Sequence, residues 1–442
     1  MNLFRLRHLW LVSGFALAAL LFVECARDGG WLDSETVSPA SQPQTVAAKS
    51  VTGGRKLTPN AEHHQAQPAP PAPIEKERRL ESLRKRVQRD GAIPKQAVIK
   101  FKSAAAMHDF LRRAAGRKVT VLGRLDALLT ARIAYNDLEQ LSDLIGPSAS
   151  AYDDLDSNYI VRIPDFLQQE DRPGGAGSAS FRGLGFLSAI GAGGDRSTWG
   201  LGVTVAVVDC GVESHMTFGE NQITHYDLVN DGQPFNGHGT AVASLIAGQD
   251  PQAPGVAPAS HILDVRVADS QGYSDTYTLA AGIVQAVDAG ALVINVSMGS
   301  YDSSQALRDA IVYAENRGAV VVAAAGNDHT ANQLAFPAAF SGVVSVGGVD
   351  ANFQQAYYSN SGNGLDVSAP GVGIQSAYSG DHLVIGDGTS QAAAIASGVL
   401  AYGLSRGVPT GSGAATWLQQ SALPLSQPPE RVGTGMVQTQ SK

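Results

Sequence analysis

The sequence predicts an α/β fold, in which helices flank a central parallel sheet, preceded by a small ferredoxin-like α+β unit. Two observations support this prediction. In the C-terminal part of the chain, short β-branched apolar runs alternate with helical stretches. In the N-terminal part, a series of shorter strand and helix patterns follows a long polar segment. With 442 residues, the chain is long enough for both units.

The apolar runs predict the parallel sheet. Strands that are buried on both faces of such a sheet show continuous apolar sequence rather than alternation. Helical stretches are predicted between these runs, at residues 278–289 and 305–317. The four predicted strands are residues 203–208, 292–296, 319–322 and 343–346.

The α+β unit is predicted from six shorter patterns, which alternate at period two in the strands and show helical spacing in the helices. In chain order these are strand 96–102, helix 104–115, strands 119–122 and 127–134, helix 137–145, and a last strand within 149–161. The order strand–helix–strand–strand–helix–strand is typical of a ferredoxin-like unit.

Residues 1–25 are predicted to be a signal peptide or a membrane anchor. Arg5 and Arg7 precede an apolar run from Leu9 to Val23, as in an export signal. The run is shorter than the ~20 residues that a membrane-spanning helix usually needs. The residues before Ala26 are not a typical small-residue cleavage site, so both interpretations stay open. The first predicts a secreted or periplasmic protein, the second a membrane-anchored one.

Composition predicts the remaining boundaries. Residues 26–91 lack core periodicity and are rich in polar and charged residues, which predicts a disordered, charged linker. The α+β unit spans residues 92–166. Residues 167–183 are rich in Gly, Ser and charge, which predicts an exposed loop. Residues 184–442 form the α/β domain.

Charge is unevenly distributed along the chain. Residues 180–409 contain no lysine and 6 arginines against 19 acidic residues, whereas residues 1–179 contain 24 basic and 20 acidic residues. The contrast suggests that the two parts attract one another, although it also fits two parts that simply stay soluble. The overall net charge of −8 argues against nucleic-acid binding. Removal of Cys25 with the N-terminal run would leave Cys210 alone, so no disulfide framework is predicted.

Three polar residues at the ends of predicted elements have the types needed for nucleophilic catalysis. Asp209 ends a buried strand, whereas His238 and Ser390 each begin a helix next to glycines. A histidine can take the proton of a serine hydroxyl, and a buried aspartate fixes the imidazole tautomer. Each residue alone could be a structural cap. Their joint occurrence favours a catalytic triad.

Asn327 is a fourth candidate, because it follows the buried strand that ends in Ala323, Ala324 and Ala325. A side-chain N–H at such a position can bind the negative oxygen that develops during acyl transfer.

In the order Asp, His, Asn, Ser, these motifs resemble those of the subtilisin family of serine peptidases, from about Trp199 to Val437. The resemblance also includes the motifs Gly255–Pro258, Ser297–Gly299 and Ala369–Gly371. It implies a subtilisin-like fold and endopeptidase activity through an acyl-enzyme, with no cofactor required for catalysis. It further implies that Asp209 orients His238, which is the general acid/base, that Ser390 is the nucleophile and that Asn327 stabilises the oxyanion.

The resemblance also implies the partners and the substrate site. The partners would be protein or peptide substrates and the chain's own N-terminal unit, acting as an inhibitory propeptide that is cleaved off between Tyr159 and Gly183. Two walls would line the bound peptide, with a preference for medium apolar or aromatic side chains; alternatively, their residues only pack the core. The wall residues are Ser297, Met298, Gly299, Ala323, Ala324 and Ala325, with Ala335 at the base of the pocket and Asp328 at its rim.

The chain departs from the family's pattern at several positions. Gln391 replaces the usual Met after the nucleophile, and Ala394 stands in place of the usual Pro. Cys210 replaces a small hydroxyl residue and is expected to be either an inert buried thiol or a mercurial-sensitive one. The loop at 249–254 is short and holds two prolines, so the family's tight calcium site is not expected there. Calcium binding elsewhere stays open, although no run of ligands is readable.

Two alternative functions remain open at this point. The first is a catalytically silent binding module with the same fold, which the departures at Gln391 and Ala394 favour. The second is a membrane-anchored processing peptidase, which would follow from retention of residues 1–25.

Overall fold

A computed structural model of the chain describes residues 73–164, 167–168 and 178–440. All of these residues belong to one structural unit. Several predictions lie outside the described residues: the signal peptide or anchor at 1–25, the linker at 26–72 and the loop at 169–177. Within the described part of the chain, no helix is long and apolar enough to cross a membrane.

The helices of the described residues are α1 Pro73–Val87, α2 Ala104–Ala114, α3 Leu138–Ile145, α4 Gly185–Ala189, α5 His238–Ala247, α6 Thr276–Asp288, α7 Gln305–Asn316, α8 Thr389–Ser405, α9 Ser412–Ser421 and α10 Pro429–Val432. The strands are β1 Gln96–Phe101, β2 Val119–Leu125, β3 Thr130–Tyr135, β4 Tyr152–Asp156, β5 Ile160–Arg162, β6 Leu167–Gln168, β7 Thr204–Asp209, β8 Ile223–Asp227, β9 His261–Arg266, β10 Tyr273–Asp275, β11 Val293–Val296, β12 Val320–Ala324, β13 Val343–Val349, β14 Val367–Pro370, β15 Ile374–Tyr378 and β16 His382–Asp387.

Residues 73–158 form an N-terminal subdomain with the predicted ferredoxin-like order. Its antiparallel sheet has the strand order β2-β3-β1-β4, and α2 and α3 lie against it. Ser103 begins α2 because its Oγ accepts a hydrogen bond from the Ala106 N–H at 3.2 Å. Phe101 and Phe110 pack in the centre of the core, with ring centroids 5.3 Å apart.

The structure differs from the predicted linker at residues 73–87, which form α1. Leu83 and Val87 are buried in the core of the N-terminal subdomain. They lie four residues apart and therefore on one face of the helix, while the surrounding charged residues face outward. The helix was not predicted because most residues around this narrow apolar face are charged.

The α/β domain is built on a seven-stranded parallel sheet, in the order β14-β13-β12-β11-β7-β9-β8. The four predicted apolar runs are its adjacent strands β7, β11, β12 and β13, which confirms that prediction. Helices α5 and α8 pack on one face of the sheet, and α6 and α7 pack on the other. After β7, the chain forms β8 and β9 on one side of that strand. After β11, it forms β12, β13 and β14 on the other side.

The α/β domain also begins before its predicted start at residue 184. The Phe181 N–H donates to the Val372 carbonyl at 2.9 Å, and the Ala179 N–H donates to Asp350 Oδ2 at 3.0 Å. Residues 178–183 are therefore attached to this domain by hydrogen bonds from their backbone N–H groups.

Gly282 of α6 provides a test of the packing between helix and sheet. A Cβ at this position would lie 2.4 Å from Val267 Cγ1 and 3.0 Å from Val208 Cγ1. We expect Gly282→Ala to lower the free energy of unfolding by about 1–3 kcal/mol, because the added methyl overpacks the core. Thermal unfolding of the variant and of the unsubstituted chain provides the measurement.

Gly193→Ala is the matched control, because a Cβ there meets nothing within 4 Å. It should leave the melting temperature nearly unchanged. Equal melting temperatures for both variants would contradict the tight packing of α6 on the sheet.

Candidate active site

Asp209 and His238 form a hydrogen-bonded pair beyond the carboxyl end of β7. Asp209 ends the strand and is fully buried, and His238 is the first residue of α5. His238 Nδ1 lies 2.9 Å from Asp209 Oδ1 and 3.1 Å from Oδ2. Because a carboxylate accepts hydrogen bonds, this contact orients the ring with Nδ1 toward Asp209 and leaves Nε2 on the opposite side of the ring.

Glycines on both sides of His238 allow this close approach. Gly237 has a positive φ of 89°, and a Cβ on it would lie 2.8 Å from the Tyr378 ring. A Cβ on Gly239 would lie only 2.4 Å from the Gly211 carbonyl oxygen. A side chain at position 239 would push α5 away from the end of β7, and one at position 237 would collide with Tyr378 and Ser379.

Ser390 lies in the first turn of α8, where backbone N–H groups have no partner within the helix. Its Oγ donates to the Ser297 carbonyl at 3.4 Å. Among the described residues it makes no hydrogen bond to His238. Rotation of χ1 moves a serine hydroxyl between staggered positions, and catalytic hydrogen bonds often form only when substrate is bound.

Asn327 lies beside the start of α8, beyond the end of β12. Its Oδ1 accepts hydrogen bonds from the Thr389 N–H at 3.0 Å and from Thr389 Oγ1 at 2.7 Å. These two donors orient the amide so that Nδ2 faces Gly388, 3.4 Å from the position that a Cβ would take there. The Asn327 side chain therefore presents N–H groups next to the turn that leads to Ser390.

An extended segment of the chain occupies a groove beside these residues. Strand β5 pairs antiparallel with β10 on one side. On the other side, the Arg162 N–H donates to the Gly299 carbonyl at 3.1 Å, and the Gly299 N–H donates back at 3.0 Å. The Ile163 N–H also donates to the Gly272 carbonyl at 2.9 Å. The groove thus holds a peptide backbone between two extended neighbours.

A cavity of about 370 Å³ adjoins the groove. The lining residues include Met298, Gly299, Ser300, Tyr301, Ala324, Gly326, Asn327, Asp328 and Ala335, together with Ile160, Arg162 and Pro164 of the extended segment. A Cβ on Gly299 would lie 2.9 Å from the Phe336 carbonyl oxygen, so the close backbone pairing here depends on glycine. Arg162 also pairs with the Asp328 carboxylate at the rim, at 3.9 Å.

Three of the six predicted wall residues do not line this cavity. Residues along a strand alternate between the two faces of a sheet, so neighbours in β12 diverge. Ala323 packs in the core on the side of α6 and α7, and Ala325 packs against Leu334 and Leu365. Ser297 is fully buried and contributes its carbonyl to Ser390 instead. The sequence reasoning also missed Tyr301 and Thr389, although Thr389 stands in the motif before Ser390.

Two of the residues that depart from the family's pattern are buried: Cys210, which follows Asp209, and Gln391, which follows Ser390. Burial, with a smaller effect of the Asp209 carboxylate, raises the pKa of the Cys210 thiol well above its usual value. A thiol in this state is a poor nucleophile at neutral pH, which favours the interpretation of Cys210 as inert. Gln391 is also buried, and its Oε1 has no hydrogen-bond partner among the described residues.

The described ranges contain no group of three or more His, Cys, Asp or Glu residues arranged to hold a metal ion. The short loop after α5 is held at both ends by hydrogen bonds to Thr217. The Gln249 N–H donates to the Thr217 carbonyl at 2.7 Å, and Thr217 Oγ1 donates to the Ala253 carbonyl at 2.9 Å.

Comparisons with known proteins relate the chain to a family. A model of the subtilase family matches residues 200–435. The thermophilic serine proteinase of Bacillus sp. (strain AK1) is 39% identical over 213 residues, which cover 47% of this chain and 53% of the relative. Thermitase of Thermoactinomyces vulgaris is 38% identical over 216 residues, covering 47% of this chain and 77% of thermitase. With several relatives, the match thus spans only about half of the relative's length.

A solved structure is also similar. Fervidolysin from Fervidobacterium pennivorans, described as a keratinolytic enzyme related to subtilisin, aligns with a TM-score of 0.67 at 25% identity. The alignment covers 79% of this chain and 61% of fervidolysin.

The unpaired oxygen of Gln391 provides a test of the site's packing. We expect Gln391→Met to raise the free energy of unfolding by about 1 kcal/mol, because a buried acceptor without a donor is removed at similar side-chain volume. Thermal unfolding of the variant and of the unsubstituted chain measures the effect.

Gln222→Met is the matched control. Gln222 is a buried amide whose Nε2 donates to the carbonyls of Ala247, Pro258 and Ser260. Its replacement should lower the melting temperature. A comparable decrease of the melting temperature in Gln391→Met would show that the Gln391 amide is fully hydrogen-bonded in solution.

Proposed function

The chain belongs to the subtilase family, and from this premise we propose that it is an exported serine endopeptidase, made as a precursor with an inhibitory N-terminal propeptide. One observation above all supports the proposal. The Asp209–His238 pair, Ser390 and Asn327 lie at one edge of the sheet, next to a groove that holds an extended peptide segment. Protein or peptide chains are the proposed substrates.

The proposed reaction is acyl transfer in two stages. Ser390 Oγ attacks the carbonyl carbon of the scissile bond while His238 Nε2 takes the hydroxyl proton. The resulting oxyanion accepts hydrogen bonds from Asn327 Nδ2 and from the backbone N–H of Ser390. His238 then gives its proton to the leaving amine, and an acyl-enzyme remains on Ser390. Water, deprotonated by His238, attacks this ester, the bond between the acyl carbon and Ser390 Oγ breaks, and Oγ regains its proton from His238. Asp209 stabilises the imidazolium at each stage.

Contacts between the N-terminal subdomain and the α/β domain support an inhibitory role. Asp156 Oδ2 accepts a hydrogen bond from the Gln305 N–H at the start of α7, at 3.1 Å. Asn158 Oδ1 accepts one from the Tyr277 N–H at the start of α6, at 3.2 Å. Helix N-termini favour such acceptors because their first N–H groups have no partner within the helix.

Opposite charges also meet across this interface. Arg132 forms an ion pair with Asp275, and Lys100 Nζ lies 2.8 Å from Asp309 Oδ2. In both pairs the basic residue belongs to the N-terminal subdomain and the acidic residue to the α/β domain. This polarity agrees with the charge contrast of the sequence and supports attraction between the two parts.

The chain pairs with the α/β domain both before and after residues 165–166. Before them, Arg162 pairs with Gly299. After them, β6 pairs with β16 at Gly386 and Asp387, immediately before the turn that leads to Ser390. We therefore propose that processing occurs at a bond between residues 164 and 167, within the wider range predicted from the sequence.

A catalytically silent binding module remains the second candidate. The buried Gln391 and the Ser390 hydroxyl bonded to Ser297 are the observations that favour it. The proposed chemistry requires a reactive serine, whereas a binding module does not, so active-site labelling separates the two.

A serine-reactive fluorophosphonate should label the mature chain, because Ser390 is the proposed nucleophile. Ser390→Ala should abolish the label, whereas the control Ser421→Ala, at a buried serine in α9, should keep it. Gel fluorescence measures the label. A correctly folded, mature wild-type chain that takes no label would refute the catalytic assignment.

N-terminal sequencing tests the proposed processing. We expect the purified active form to begin at residue 165, 166 or 167, because the bonds before these residues lie between the two pairing sites. The Ser390→Ala chain should retain its N-terminal subdomain if the protein processes itself. An active form that begins before Ala92 would contradict the propeptide proposal.

A further inference from the structure

We propose that Asn360 is a positioning residue for Asn327, and that it sets the rate of the chemical step without contacting the substrate. This inference rests on the proposed function, because it assumes that Asn327 binds the oxyanion. It concerns the oxyanion loop, defined here as residues 325–330.

Asn360 is fully buried and hydrogen-bonded through its whole side chain. Its Oδ1 accepts from the Asp328 N–H and from the Thr330 N–H, each at 3.0 Å. Its Nδ2 donates to the Ala325 carbonyl at 3.2 Å and to Tyr301 Oη at 2.7 Å. Three of these four contacts end on the backbone of the oxyanion loop.

The main chain of Asn360 adds a further contact, because its N–H donates to the Gly326 carbonyl at 3.0 Å. Asn360 therefore fixes the backbone immediately before Asn327, at Gly326, and immediately after it, at Asp328. Gly326 has a positive φ of 111°, and a Cβ on it would lie 2.2 Å from Asn360 Nδ2. The absence of a side chain at Gly326 lets the amide of Asn360 approach this closely.

The two ends of the Asn327 residue are thus held by different partners. Thr389 binds its side-chain oxygen and so orients the amide group. Asn360 holds the backbone from which the side chain projects. A donor stabilises a developing oxyanion fully only when it is already in place, because reorganisation during the reaction costs free energy. Loosening the backbone should therefore weaken the stabilisation even though Asn327 is still present.

The network also reaches the rim of the cavity. Tyr301 accepts from Asn360 and donates to the Asp328 carboxylate, and both Tyr301 and Asp328 line the cavity. Asn360 itself is not among the residues lining the cavity. It therefore acts on catalysis through the oxyanion loop and Tyr301, which distinguishes it from a residue that contacts the substrate itself.

A double-variant cycle tests this inference on the mature enzyme with a peptide substrate. Asn327→Ala alone should lower kcat by roughly 10²–10³-fold, the usual effect of losing an oxyanion donor. Asn360→Ala alone should lower kcat by about 10-fold and leave KM within about 2-fold, because the lost interaction acts only in the transition state. Added to Asn327→Ala, it should change kcat by less than about 2-fold, because its target is already absent.

Gln222→Ala is the matched control. It removes a buried amide with several backbone partners, none of which lies in the oxyanion loop. It should lower the melting temperature but leave kcat per active site unchanged, with active sites counted by fluorophosphonate titration. The inference would be overturned if Gln222→Ala lowered kcat as much as Asn360→Ala does. It would also be overturned if Asn360→Ala lowered kcat by the same factor in the wild-type and Asn327→Ala backgrounds.

Two further outcomes are distinguishable. If Asn360→Ala does not mature, the cycle is repeated with Asn360→Asp, which keeps the acceptor for Asp328 and Thr330 but loses the donor to Ala325. A wild-type kcat in Asn360→Asp, or an equal loss in both backgrounds, would then overturn the inference. A wild-type chain without peptidase activity or label would instead refute the proposed function itself.

Discussion

The hydrogen bond between Asp209 and His238 determines how the edge of the α/β domain is built. Its two atoms, Asp209 Oδ1 and His238 Nδ1, lie 2.9 Å apart in a position that is closed to solvent. The end of β7 and the start of α5 must therefore lie next to each other. Glycines at 211, 237 and 239 keep this junction free of side chains. Around it, Arg266 stacks on Phe235 and pairs with Asp227 and Asp231, which ties the segment before α5 to β9.

The same edge gathers the other functional groups because parallel strands all end on one side. Asp209 follows β7, Ser297 follows β11 and Asn327 follows β12, and these strands are neighbours in the sheet. Helix α8 packs against β11, β12, β13 and β14, on the same face of the sheet as α5. It begins at this edge, with Ser390 in its first turn. The order of the strands thus explains why residues distant in sequence share one site.

The sequence predicted the features that depend on local pattern and missed those that depend on tertiary contacts. The central strands were recognised because both of their faces are apolar. Strand β9 escaped recognition because it buries Asp264 and Arg266, which interrupt the apolar run and are balanced by His225, Asp227 and Asp231. The residues of the proposed triad stand in recognisable motifs. Asn360 is part of no recognisable motif, because the hydrogen-bond partners of its side chain are evident only in the folded chain.

The groove that holds residues 160–163 recognises main-chain groups more than side chains. Gly299, Gly272 and β10 offer backbone donors and acceptors that only an extended partner can satisfy at the same time. Most extended segments of folded proteins already have their backbone groups paired within their own sheets. In the enzyme that we propose, the groove therefore selects for conformation: a polypeptide becomes a substrate where it is unfolded or frayed, and a well-folded protein, including a neighbouring copy of this one, is spared.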